Sequence, residues 1–171
     1  SGYEGVSLSM LSEATGLGRA SLYHYFPEGK EEMARRSLEL SYDEFVRAVI
    51  QPLENSARDP RLRLRECVDN TIQYYCQGSE NCILGVFALD GSRDKFRVEL
   101  RTTTELWIRT LSATLIEAGE EPDSARAKAL DFVVRLHGSL VVSRALDNTE
   151  AFKAAMSALR GLLEVQEVGS V

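Results

Sequence analysis

Apolar residues recur along this chain at helical spacings, and the runs are broken by Gly, Pro, Asn and Ser. Leu8, Leu11 and Thr15 fall at i, i+3 and i+7 behind Ser7, whose hydroxyl suits a helix N-cap. Gly16 stops that run, as Gly does where the backbone turns left-handed. Leu17 is a single apolar plug, and Gly18 can cap a second short helix. Leu22 and Phe26, four apart, face inward, which leaves Arg19, Ser21, Tyr23, His24 and Tyr25 on the open sides. Pro27 ends that helix, because residues before proline avoid helical ψ. A long helical pattern then covers 30–50, with Met33, Leu38, Leu40, Phe45, Val49 and Ile50, and Gln51-Pro52 stops it. Such a rod, ~30 Å long, can tie a small head to a larger body and transmit motion between them.

The remaining runs also predict helices. Leu64, Cys67, Val68, Thr71, Ile72 and Tyr75 mark an amphipathic helix over 64–76, and Gly78-Ser79-Glu80-Asn81 a turn. The run 82–89 (CILGVFAL) reads as a short buried helix, since no second strand-like run exists to pair with it. A long helix over 93–118 carries Phe96, Leu100, Trp107, Leu111 and Leu115 on one side and stops at Gly119. Pro122 opens a helix to about residue 146, with Ala125, Ala129, Phe132, Val133, Leu136, Leu140 and Val141. After Asp147-Asn148-Thr149, the last helix spans 150–165 with Phe152, Ala155, Met156, Leu159, Leu162 and Leu163, and the tail from Gln166 frays. The fold class is all-α, with about nine helices. The basic cluster 58–65 (RDPRLRLR) reads better as a solvated helix start, with Asp59 and Pro60 in its first turn, than as a phosphate contact.

Two short helices around a Gly-containing turn, the second rich in polar and aromatic groups, form a helix-turn-helix. The run ATGLGRASLYHYFPEGKEEM, with its G-L-x-x-x-x-L-Y-H-Y-F-P-x-x-K-E-E core, resembles the DNA-binding signature of the tetracycline-repressor-like (TetR) family of transcription regulators. Gly18 stands where that family usually has Ser at the second cap, and Ser12 where it has Ala. The order from Cys82 to Arg144 resembles the regulatory domain of the LmrA/YxaF-type branch. The resemblance implies a DNA-binding head at 1–29, lacking its first helix, and a regulatory ligand-binding and dimerisation domain at 30–171. In the family a first helix closes a three-helix core, so about one more helix is expected upstream of Ser1.

Composition narrows the function classes. The net charge is −6 over 171 residues, which argues against coating nucleic acid through a broad basic surface but not against local, site-specific binding. The longest apolar run, 82–89, is far short of the ~20 residues of a membrane span, and no secretory leader opens the chain. A cytoplasmic protein with no membrane partner is expected. Enzymes are disfavoured. His24 and His137 are preceded three residues earlier by Ser21 and Val134, so no E-x-x-H di-metal motif exists. Nucleophile-elbow and P-loop patterns are absent. No metal or cofactor is expected. Cys67, Cys76 and Cys82 show no C-x-x-C spacing; they read as free thiols or as a thiol sensor.

Arg19 is the best base reader, because a guanidinium can grip guanine O6 and N7 together. Ala20 and Ser21 suit a thymine methyl or a polar contact, and Tyr23 a base or a phosphate. His24, Tyr25, Lys30 and the Ser7 hydroxyl have reach and polarity for phosphates. Tyr25 can alternatively pack on the rod, and His24 can be merely solvated. The resemblance implies the same DNA-contacting roles at these positions. One head reads few base pairs, so a homodimer on a near-palindromic operator is expected. The last two helices supply its candidate interface through Ala129, Leu136, Leu140, Phe152, Ala155, Met156 and Leu159, with small residues such as Gly138, Ala154 and Ala158 allowing close approach. The alternative is that this surface is intramolecular core. Tyr74, Tyr75, Phe87, Thr104, Trp107, Phe132 and His137 are candidates for an aromatic ligand pocket. The resemblance implies a small lipophilic or aromatic inducer that releases a repressor from DNA. Thiol oxidation in place of a ligand, or a helical protein-interaction module, are the competing readings.

Overall fold

Two helix starts, behind Ser7 and Asp59, are met by a side chain that takes up orphan backbone N–H groups. The computed structural model describes residues 2–80, 82–89 and 91–164, and among these there are helices and turns but no strand. Helix α1 (Leu8–Thr15) begins where the Ser7 hydroxyl accepts the Met10 N–H at 3.2 Å. It ends at Gly16, whose φ of +69° is left-handed. The Ser12 hydroxyl donates to the Leu17 carbonyl at 2.5 Å, which ties the turn back to α1. Helix α2 (Arg19–Tyr25) leaves the extended Gly18 and ends at Phe26, before Pro27.

Helix α3 (Lys30–Phe45) does not stop at Pro52 as the pattern predicts. It passes through one π-helical turn, Val46–Ile50, into α4 (Gln51–Glu54). Proline lacks an N–H and its ring crowds the carbonyl four residues back. The wider turn, in which the Gln51 N–H reaches the Val46 carbonyl, makes room for it. Helix α5 (Pro60–Tyr74) is capped by Asp59, whose carboxylate accepts from the Arg61 and Leu62 N–H groups at 2.8 and 3.1 Å. Helix α6 (Ile83–Leu89), a 3₁₀ turn at Arg93–Phe96, α7 (Arg97–Glu117), α8 (Pro122–Ala145) and α9 (Glu150–Leu162) complete the order. The run 82–89 is helical but not buried as expected: only Phe87 of α6 is buried, and Leu89 is 82% exposed. The predicted frayed tail from Gln166 lies outside the described residues.

Internal contacts divide the chain into two compact units. The first joins the chain up to Asp43 with Ile83–Thr102, and the second joins Glu44–Cys82 with the chain from Thr103 onward. The division therefore departs from the expected 29/30 boundary, and the reason is packing. Tyr3, Ala34, Leu38, Phe87, Phe96 and Leu100 form the first unit's apolar cluster. Tyr3, read from sequence as a loop residue, stacks edge-on against Phe96 at 5.2 Å. Arg35 binds Glu31 at 3.1 Å, Glu99, and the Lys95 carbonyl at 3.0 Å. Each large apolar side chain buried there contributes ~1.5–3 kcal/mol.

The second unit's core gathers Phe45, Ile50, Leu53, Leu64, Val68, Trp107, Leu111, Leu115, Phe132, Leu136, Phe152, Met156 and Leu159. Helices α8 and α9 pack against each other most extensively. The Ser143 hydroxyl accepts the Phe152 N–H at 3.0 Å across that join. Arg63, only 2% exposed, donates to the Leu53 carbonyl and to the Arg58 carbonyl at 3.2 Å, and pairs with Glu117. Arg58 makes a two-pronged pair with Glu66, both contacts at 2.6 Å. The basic cluster starts α5 as expected but is not solvated throughout: Arg63 is buried and ties α5 to the Leu53 carbonyl and to Glu117.

Candidate nucleic-acid interface and regulatory unit

Helix α2 buries one residue, Leu22, and offers the rest to solvent. Arg19, Ala20, Tyr23, His24 and Tyr25 are exposed and Ser21 is half-buried. Tyr25 is 66% exposed and its ring meets only that of His24, edge-on at 5.4 Å. A short helix with one buried anchor and a continuous polar-aromatic outer surface can enter a major groove from its N-terminal end. The Arg19 guanidinium lies across the turn on the Ser9 hydroxyl, so both helices present donors on this side. Ser7 keeps its hydroxyl hydrogen available, since the cap uses only the oxygen as acceptor. Every residue of α1 has some exposure; Leu8 and Leu11 are half-buried.

Lys30 departs from the expected phosphate role. Its ammonium donates to the Tyr3 and Val6 carbonyls, both at 3.0 Å, and sits 4.3 Å above the Tyr3 ring. Its charge holds the Tyr3 and Val6 carbonyls against α3 and is not presented as a free cation beside α2.

Five of the seven residues predicted for the ligand pocket come together in the second unit. Tyr74 and Tyr75 pack edge-on at 5.0 Å, and Phe45 bridges Tyr74 to Trp107 at 5.6 and 4.6 Å. Trp107 meets Phe132 at 5.9 Å and His137 at 6.0 Å. Thr104 is half-buried one turn before Trp107 on α7. Phe87 is elsewhere: it packs in the first unit against Phe96 at 4.9 Å and Tyr3 at 6.1 Å. Phe45, which sequence reasoning assigned only to the rod, is the ring that joins the cluster. A separate, mostly polar cleft of about 500 Å³, lined by Gly78, Leu140, Ser143, Arg144 and Asn148 among others, contains none of the residues predicted for the ligand pocket.

The residues expected at the dimer interface require a correction. Ala129, Leu136, Leu140, Phe152, Met156 and Leu159 are all buried within one chain, and Ala155 is half-buried. The six buried residues form the join between α8 and α9 and have almost no surface left for a second copy; only Ala155 keeps some. The outer face of α8 carries a different stripe: Leu130, Val134, Gly138, Val141 and Ala145, with Val142 beside it, all exposed. On α9, Ala154, Ala158 and Gly161 are exposed in the same fashion. The signal was present in the sequence. From Leu136 to Ser143 α8 carries no Asp, Glu, Lys or Arg, and a stretch with apolar residues on every side calls for cover on every side, whereas Gly138, Val141 and Val142 are left exposed by their own chain.

Among the described residues no helix is long and apolar enough to cross a membrane, and no group of three or more His, Cys, Asp or Glu could hold a metal ion.

Comparison with known proteins agrees with this arrangement. The model of the C-terminal domain of LmrA/YxaF-like transcriptional regulators matches residues 60–158, and that of the tetR family of bacterial regulatory proteins matches residues 1–36. The HTH-type transcriptional regulator LmrA of Bacillus subtilis (strain 168) is 24% identical over 169 residues, covering 95% of this chain and 88% of that protein. Two solved structures share the fold. A TetR transcriptional regulator from Legionella pneumophila superposes with a TM-score of 0.80 at 18% identity, covering 95% of this chain and 88% of that one. The regulatory protein TetR from Rhodobacter sphaeroides gives 0.77 at 19% identity, with 94% and 89% covered. An exposed second helix after the Gly-containing turn, an all-helical second unit and a family match over more than half its length together place this chain in the TetR family of transcriptional regulators, with an LmrA/YxaF-like C-terminal domain.

Proposed function

We propose that the chain works as a homodimeric repressor, read into a near-palindromic operator by α2 and released by a small apolar or aromatic ligand held in the second unit. The observation that carries this reading is the outer surface of α2: Arg19, Ala20, Tyr23, His24 and Tyr25 are exposed together, anchored by one buried Leu22. Arg19 leaves Ser9 to read a guanine; Ser21 and Ala20 flank it. Tyr23, His24, Tyr25 and Ser7 hold phosphates and set the register. The dimer forms through Leu130, Val134, Gly138, Val141 and Ala145 of α8 and the small residues of α9, which makes a four-helix bundle about a two-fold axis. The ligand occupies the neighbourhood of Tyr74, Tyr75, Thr104, Trp107, Phe132 and His137. It favours the head spacing that does not match the operator, and a coupling of ~1–3 kcal/mol relieves repression several-fold or more.

The test is a fluorescence-anisotropy titration at fixed salt on the duplex upstream of the protein's own gene. Arg19→Ala should weaken specific binding by ~1–3 kcal/mol and relax base choice at one position in each half-site. An Arg19→Ala protein with unchanged affinity and unchanged base preference would remove α2 from the reading role.

A further inference from the structure

Cys82 sits in a hydrogen-bonded group that neither DNA reading nor dimerisation uses. It is half-buried, immediately before α6. The Tyr75 hydroxyl donates to its sulfur at 3.5 Å. His137 lies close enough to Cys82 for that residue to act on its protonation. The His137 Nδ1 lies 2.7 Å from the Val133 carbonyl oxygen. A carbonyl only accepts, so Nδ1 carries the hydrogen, and in the neutral ring Nε2 is left with the lone pair. Nε2 is thus the ring atom that can take the thiol proton.

The electrostatics agree with the geometry. Burial works against a protonated His137, but the hydrogen bond to Cys82, the charge of that sulfur and the Val133 carbonyl outweigh it, and its pKa is raised. Burial and the neighbouring sulfur push Tyr75 well above the usual phenol range, so it stays a donor. Cys67 has no such support: it is fully buried and pushed up to about 12. A second observation concerns the wall beside His137. The Trp107 ring is 6.0 Å from the imidazole, its side chain is 1% exposed, and its indole N–H has no acceptor among the described residues. A buried unmet donor costs ~1–3 kcal/mol, which a carbonyl oxygen would recover.

We infer that Cys82 is a covalent acceptor site for small α,β-unsaturated carbonyl compounds, with His137 as its base and Tyr75 supporting the sulfur. The thiol proton passes to His137 Nε2. The thiolate attacks the β-carbon and an S–C bond forms. The C=C pair moves toward the carbonyl as an enolate. The Nε2 proton then goes to the α-carbon and the carbonyl re-forms. The net change is addition of S–H across C=C, with no leaving group and no oxidant. The consequence for DNA, that the adduct loosens operator binding, rests on the proposed function; the chemistry does not.

N-ethylmaleimide, a small conjugated carbonyl, is the probe, and timed mass spectrometry with peptide mapping is the readout. At neutral pH the Cys82 adduct should form about tenfold or more faster than that of the exposed Cys76, with Cys67 unmodified. His137→Gln should slow Cys82 by about tenfold and leave Cys76 unchanged, and Tyr75→Phe should slow it by a smaller factor. If His137→Gln fails to fold, the Cys82-to-Cys76 ratio in the unaltered protein decides alone. Equal rates at Cys82 and Cys76, or an unchanged Cys82 rate in a folded His137→Gln protein, would overturn the site. In the anisotropy assay the adduct should bind its duplex about fivefold or more weakly. Equal affinity would overturn the regulatory consequence and leave the chemistry. An unmodified protein that binds no duplex would overturn the proposed function and leave the adduct rates standing.

Discussion

Val134→Asp separates the two faces of α8. Val134 is 60% exposed in the single chain, on the outer stripe with Leu130, Gly138, Val141 and Ala145. Fully burying a side chain of this size contributes ~1.5–3 kcal/mol, and somewhat over half of that remains for a partner to supply, so about 1 kcal/mol per chain. A two-fold interface counts the substitution twice, which gives ~2 kcal/mol per dimer. Placing two carboxylates near the axis adds about 1 kcal/mol or more. A loss of ~3–4 kcal/mol raises the dimer dissociation constant roughly 10²- to 10³-fold. Sedimentation equilibrium should show a monomer at micromolar concentration with an unchanged circular dichroism spectrum. Leu136→Ala is the contrast. Leu136 is fully buried between α8 and α9, so it should cost ~2–5 kcal/mol of folding stability while the folded fraction still pairs. A Val134→Asp protein that dimerises as tightly as the unaltered chain would place the interface elsewhere.

Five further substitutions test the second unit. Gly78→Ala should destabilise by ~2–5 kcal/mol, because φ is +91° and an added Cβ would come within 2.5 Å of the Phe152 ring. Gly119→Ala, at φ +105° with nothing within 4 Å, should cost only the ~1–2 kcal/mol backbone part, and equal losses in urea unfolding would show that the Phe152 contact does not matter. Arg63→Ala should cost ~3–5 kcal/mol through the packing and hydrogen bonds it removes, and Glu117→Gln ~1–3 kcal/mol, because it leaves a guanidinium that is 2% exposed without its carboxylate. Cys67 sets an alkaline limit. The unfolded thiol ionises near 9 while the folded one holds its proton to about 12. Its contribution is therefore complete below the unfolded value and is lost as pH rises through that window, by up to ~4 kcal/mol. Urea midpoints measured across this window should fall more steeply than those of Cys67→Ala; parallel curves would refute the assignment.

The head was legible because its information is local. Ser7, Gly16, Gly18, Leu22 and Pro27 each act within one or two turns, and the structure uses each where its chemistry predicts. Lys30 was misread because its charge suggested a phosphate, whereas its partners, the Tyr3 and Val6 carbonyls, are far upstream in the chain. Pro52 was misread as a stop because a π turn can absorb the missing N–H, and no local pattern announces one. On α8 the apolar residues were visible, but spacing alone does not say which face meets α9 and which stays open. Phe87 illustrates the same gap: an aromatic ring in a helix is apolar wherever it packs, and only the fold sends it to Tyr3 and Phe96 and away from Trp107. The Cys82–His137 pair was out of reach, since neither residue has a reactive neighbour in sequence.

The most direct measurement is a hydroxyl-radical footprint, with methylation interference, of the purified protein on the duplex upstream of its own gene. Two protected half-sites should appear, centred about 10 base pairs or a multiple of that apart, each with a guanine whose N7 methylation blocks binding and whose effect disappears in Arg19→Ala. No protection on any part of that duplex, or a single unpaired patch indifferent to Arg19, would contradict a symmetric pair of α2 helices reading DNA.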